Sequence, residues 1–144
     1  MINNDTIELL KECNAGIKMG IDSIDDVIDK ITDHEFKETL QSCKEEHQRL
    51  GSMTHELLEK YCDSGKDPNV MAKSMSWIKT NLMMAIEGSD HTAADLLTDG
   101  CNMGVKSLNR YLNKYKAAEE QVKDIAKKLI ASEKLLTDDI RQYL

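Results

Sequence analysis

Aromatic residues make up only 4% of this chain, and Pro68 is its single proline. A strand-rich core draws on aromatic packing, so the scarcity of rings disfavours one. The scarcity of proline leaves long helices unbroken. Basic residues are outnumbered, 19 Lys and Arg against 26 Asp and Glu, for a net charge of −7. A general binder of nucleic acid or of an anionic membrane needs the opposite balance, so neither partner is expected. No run approaches the roughly 18 apolar residues of a bilayer span. The start, Met-Ile-Asn-Asn-Asp-Thr, has no basic segment and no apolar segment after it, so no secretion signal is expected. The expected location is the cytoplasm.

Enzyme signatures are also missing. There is no strand followed by a Gly-rich phosphate loop and no G-x-S-x-G elbow, and the sequence singles out no catalytic residue. The cysteines Cys13, Cys43, Cys62 and Cys101 are widely spaced, with no CxxC pair. In a reducing compartment such thiols stay reduced, and on an apolar stripe a cysteine packs as a small hydrophobe.

What the chain does have is helical periodicity. Leu10, Cys13, Ile17, Ile21, Ile24, Ile28 and Ile31 step by three and four, which predicts a helix over about 7–31 with Asp5 and Glu8 as a capping box. Thr32 and Glu35 have the same spacing, so a second helix is expected over about 33–62. The short turn between them makes the two antiparallel neighbours. Asp63-Ser-Gly-Lys-Asp-Pro68 reads as a loop, followed by a shorter helix over about 68–86 that carries Met71, Met75, Ile78 and Leu82 on one face and Trp77 beside it. Gly88 is a stop signal, and Ser89 or Asp90 can cap the next helix.

From Ala94 to Ile140 the stripe never breaks. Periodicity alone gives one helix over 91–144, unusually long for a small domain. A tight turn near Lys114 to Ala118 is the better expectation, with helices over about 91–113 and 117–143. The whole is then one all-α domain over 1–144, two helical hairpins joined by a crossover that contains the short helix.

The order of elements carries a resemblance. Two long helices, the Ser76-Trp77-Ile78-Lys79 helix, the Gly88-Ser-Asp-His break, and Asp99-Gly-Cys-Asn-Met-Gly104 leading into Ser107-Leu-Asn-Arg-Tyr111 resemble small bacterial ferritin-like four-helix-bundle proteins of unknown function, including those of spore-formers. The resemblance implies a four-helix bundle and a spore- or stress-related role.

A ferritin-like di-iron site takes Glu from two helices and Glu-x-x-His from the other two. Here His47 lies on the seam Phe36, Leu40, Cys43, Leu50, Leu57, Tyr61, but Lys44 stands where the motif has Glu. In the last helix Ile130 and Glu133 have that spacing, without a histidine. No Glu follows Glu12 in the first helix, whose level facing His47 reads as apolar, near Ile17. After the break, Cys101 and Gly104 take the inward positions. The di-iron site is therefore expected to be degenerate.

Three readings of His47 remain, the plainest being that it lies at the rim of the bundle in solvent. It can pair with Glu133, or with Ser132, as a packed polar contact that fixes helix register. Alternatively the layer holds iron, manganese or zinc on His47, Glu133, Cys43 and Cys101. His55 lies two turns from His47, about 11 Å, too far to share an ion. The expected function is a non-catalytic structural or interaction protein without cofactor. Self-association or a protein partner is expected through Trp77, Met75, Met83 and Met84 on the short helix. The alternative is a divergent metal-binding protein or oxidoreductase built around His47.

Overall fold

A computed structural model of the chain describes residues 3–61 and 88–144. The described residues form four helices and no strand. They are α1 (Asn4–Ile28), α2 (His34–Lys60), α3 (Asp90–Lys114) and α4 (Glu120–Ile140), closed by a 3-10 turn at Arg141–Tyr143. The short helix expected over 68–86, with Trp77, Met75, Met83 and Met84, lies outside the described residues, as does Cys62.

Three of the four helix starts have a side-chain cap, and two of these differ from the sequence expectation. At α1 the cap is Asn3, whose side chain accepts from the Thr6 N–H at 2.9 Å. Asp5 is thereby free of capping and accepts from the Ala117 N–H at 3.0 Å. At α2 the cap is Asp33, accepting from the Phe36 N–H at 2.9 Å. Thr32 turns instead to Asp90. Ser89 caps α3, accepting from the Thr92 N–H at 3.1 Å. α1 stops at Ile28 rather than Ile31, yet Ile31 is still buried, folded inward by the turn between α1 and α2.

The uninterrupted stripe after Ala94 does turn. α3 ends at Lys114, and α4 begins at Glu120. Nothing in the turn is a glycine or proline, which is why periodicity runs through it unseen. Its geometry is held from outside: the Asn3 amide donates to the Ala117 carbonyl at 2.8 Å, and the Thr6 hydroxyl accepts from the Glu119 N–H at 3.0 Å. Ala118 points into the core and keeps the stripe in phase.

The helix ends reveal the directions. The α3–α4 turn sits on the start of α1. At the other end the Asp90 carboxylate, at the start of α3, accepts from the Thr32 N–H, the Thr32 hydroxyl and the Asp33 N–H at 2.8–3.0 Å. These bonds hold the Asp90 carboxyl below the usual carboxylate range, against the upward push of its partial burial. Tyr143 stacks on Phe36 at 4.4 Å and donates to Asp33, so α4 ends where α2 begins. α1 and α4 therefore run one way, α2 and α3 the other. α2 packs on α1 and α4, α3 on α4 and α1.

The interior is divided. One apolar cluster gathers Leu9, Leu10, Ile17, Leu50, Leu108, Ile125 and Leu129 with their neighbours. A second gathers Ile24, Ile31, Phe36, Leu40, Leu97, Leu136 and Ile140. Along every helix the boundary falls at one level: between Ile17 and Ile24, Cys43 and Leu50, Cys101 and Leu108, Ile130 and Leu136.

Candidate functional site

That level is polar. α2 supplies His47 and α4 supplies Glu133, with only 2% and 7% of their surfaces exposed. His47 Nε2 lies 3.8 Å from Glu133 Oε1, an ion-pair distance beyond a direct hydrogen bond. On the other side of the ring, Nδ1 is 2.9 Å from the Cys43 carbonyl and 3.6 Å from the Cys43 sulfur. A carbonyl oxygen can only accept, so Nδ1 carries a hydrogen. Nε2 then faces a carboxylate. If both were unprotonated their lone pairs would oppose each other in a medium where that is costly. One proton therefore belongs to the Nε2–Oε1 contact.

Burial on its own pulls the imidazole toward neutrality. The Cys43 side chain, the Glu133 carboxylate and the Cys43 carbonyl outweigh it, and the His47 pKa is pushed up to about 10. His47 is thus an imidazolium at neutral pH, paired to Glu133. Cys101, on α3, lies in the same layer; burial and then the charges of Glu133 and Cys43 push its thiol well up. Cys13, deeper in the first cluster, is pushed up to about 12 by burial and by Glu12.

Glycines on the remaining two helices make room for the pair. A Cβ on Gly20 of α1 would come within 2.7 Å of His47 Cδ2 and 2.8 Å of Nε2. A Cβ on Gly104 of α3 would meet the Glu133 carboxylate, 2.9 Å from its Cδ. The level of α1 facing His47 is therefore Gly20 and not the apolar residue expected near Ile17. The signal was present, since a mid-helix glycine costs about 1 kcal/mol and needs a reason. Gly104 takes the inward position expected of it.

Lys44 leaves the interior altogether. Its ammonium reaches Asp25 on α1 at 2.6 Å, on the outside of the bundle. Sequence reasoning placed His47, Glu133, Cys43 and Cys101 at one layer, and the structure brings them together there. They do not converge on a point. Cys43 lies at Nδ1 and Glu133 at Nε2, on opposite edges of one ring, and Nδ1 is engaged by the Cys43 carbonyl. Among the described residues no group of three or more His, Cys, Asp or Glu side chains has the arrangement to hold a metal ion. The geometry does not fit the four-residue metal site.

One atom of the layer is unmatched. Glu133 Oε2 is buried with no hydrogen-bond partner. On the outer side of the layer, Cys43 lies 3.8 Å from the Ser132 hydroxyl. Both residues line a groove of about 530 Å³ between α2 and α4. No helix among the described residues is long and apolar enough to cross a membrane. Comparison with known protein families, with characterised proteins and with solved structures finds no match.

The notches give a contrast between glycines. Gly20→Ala forces a methyl group into the ring of His47, and overpacking of this kind costs about 1–3 kcal/mol. Gly100→Ala, at an exposed helical site with nothing within 4 Å of the new Cβ, stabilises by about 0.5–1 kcal/mol. Urea unfolding of the two variants checks both signs.

The pair gives a second. His47→Ala leaves Glu133 buried and alone and costs about 3–5 kcal/mol, while His47→Leu with Glu133→Met falls near the parent or above it. The sign of the pH dependence is set by the same pair. The folded His47 pKa lies above its unfolded value of 6.5, so its contribution is complete below pH 6.5 and is lost as pH rises toward about 10. Urea unfolding across that range shows stability declining in the parent. In the double variant the part of the decline below about pH 8, where free cysteine begins to titrate, is absent.

Proposed function

We propose that this chain is a non-catalytic, cytoplasmic helical-bundle protein with a structural or interaction role, built on a ferritin-like arrangement whose di-iron layer has become a packed ion pair. The helix directions support the architecture: the end of α2 and the start of α3 lie at opposite ends of the bundle, as two hairpins joined by a crossover require. The observation that carries the functional reading is the closure of the layer. His47 is engaged at both ring nitrogens, and the backbones at Gly20 and Gly104 press against the two charged groups. Such a site holds four helices in register and leaves no open coordination position, which metal catalysis needs. Association with a protein partner or a second copy has support in Met103 and Leu135, large apolar side chains that stand 71% and 60% exposed on α3 and α4.

A second reading, a divergent metal-binding protein or oxidoreductase, has one observation in its favour: the unmatched Glu133 Oε2. Elemental analysis of protein purified without a tag separates the two. The ion-pair reading expects iron, manganese and zinc all far below one per chain. Stoichiometric metal that disappears in His47→Ala would establish the second reading instead.

A further inference from the structure

Three reduced thiols are described, and they are not equivalent. All three are buried, Cys43 and Cys101 each with 8% of their surface exposed, and burial pushes the thiols of Cys13 and Cys101 up. Cys43 alone of the three lines the groove between α2 and α4. Its sulfur also has a constellation behind it. The His47 Nδ1–H lies 3.6 Å away, and Glu133 holds the far side of the same ring. The imidazolium thus lies between sulfur and carboxylate, with its Nδ1–H donated to the Cys43 carbonyl at 2.9 Å, and the Ser132 hydroxyl flanks the sulfur at 3.8 Å. A cation beside a thiol opposes the negative charge that builds on sulfur when it reacts as a nucleophile.

The groove selects what can arrive. Its walls carry Glu35, Glu38, Glu46 and Asp139 against the single cation Lys128. Glu46 is taken up by Arg49 at 2.6 Å, and Glu38 lies 3.0 Å from His34, which offsets its charge only when protonated. The remaining charge is negative. Leu135 and Leu136 add an apolar wall. A volume of about 530 Å³ accepts a small molecule. The field of a cleft lined by one sign of charge concentrates the opposite sign.

We propose that Cys43 is a thiol–disulfide exchange site for small cationic disulfides, which the acidic groove between α2 and α4 admits. In the exchange the Cys43 sulfur attacks one sulfur of the disulfide. The disulfide bond breaks, a new S–S bond joins Cys43 to half of the reagent, and the other half leaves as a thiol carrying the proton that Cys43 gave up. The incoming disulfide is the oxidant, and no further co-reactant is needed.

Cystamine, a dication, and glutathione disulfide, an anion, test this on full-length Cys62→Ser protein at neutral pH. Rates are read by intact mass and peptide mapping, each divided by the rate of the same reagent with the urea-unfolded chain. The expected result is an adduct on Cys43 ahead of Cys13 and Cys101, with normalised cystamine rates about tenfold above those of glutathione disulfide at low salt. The gap narrows at high salt. It also narrows in the exposed triple variant Glu35→Gln/Glu38→Gln/Asp139→Asn. Three results would each overturn the proposal: Cys13 or Cys101 labelled as fast as Cys43, no Cys43 adduct on folded protein while the unfolded chain reacts, or a reagent preference that survives the triple variant.

Discussion

A bundle held only by leucine and isoleucine stripes has several nearly equivalent registers, because one apolar layer packs acceptably against another. A buried imidazolium does not share that tolerance. It must find its carboxylate and its backbone acceptor, and every register that fails to supply them leaves a charge in a dry interior. His47 meets Glu133 across the α2–α4 contact and the Cys43 carbonyl along its own helix. The apolar clusters on either side of that level are then fixed relative to one another.

The pair also dictates what the other two helices can carry. Gly20 and Gly104 are helix-weakening residues in mid-helix, and both lie against the charged groups. The propensity they sacrifice is about 1 kcal/mol each, less than the cost of pushing a methyl group into the ring or of separating the ions. The same layer opens outward through Cys43 and Ser132 to the α2–α4 groove. The structural core and the candidate reactive thiol are therefore parts of one arrangement.

Much of this was legible in residue spacing. The helical stripes follow from apolar steps of three and four, the break between α3 and α4 only from the rarity of so long a helix, and the stripes put His47 level with Glu133 or Ser132, of which the structure pairs it with Glu133. Capping was less legible. Asn3 and Asp33 won over Asp5 and Thr32 because the alternatives had tertiary partners, Ala117 and Asp90, that no local pattern records. Gly20 was missed for a similar reason: its role exists only against a ring on another helix. The direction of Lys44 was invisible too, since its partner Asp25 lies on α1. Where the cause is local the sequence carries it, and where the cause is a contact across the bundle the sequence shows only a residue out of keeping with its helix.

The central claim is that His47 is a buried imidazolium paired to Glu133 with Nδ1 held by the Cys43 carbonyl. Nitrogen-15 NMR of the histidine side chains, followed from pH 6 to pH 10, tests it directly. The account predicts that both His47 ring nitrogens stay protonated past neutral pH and lose a proton only near pH 10. A His47 ring that turns neutral around pH 6.5, the ordinary value for histidine, would contradict it.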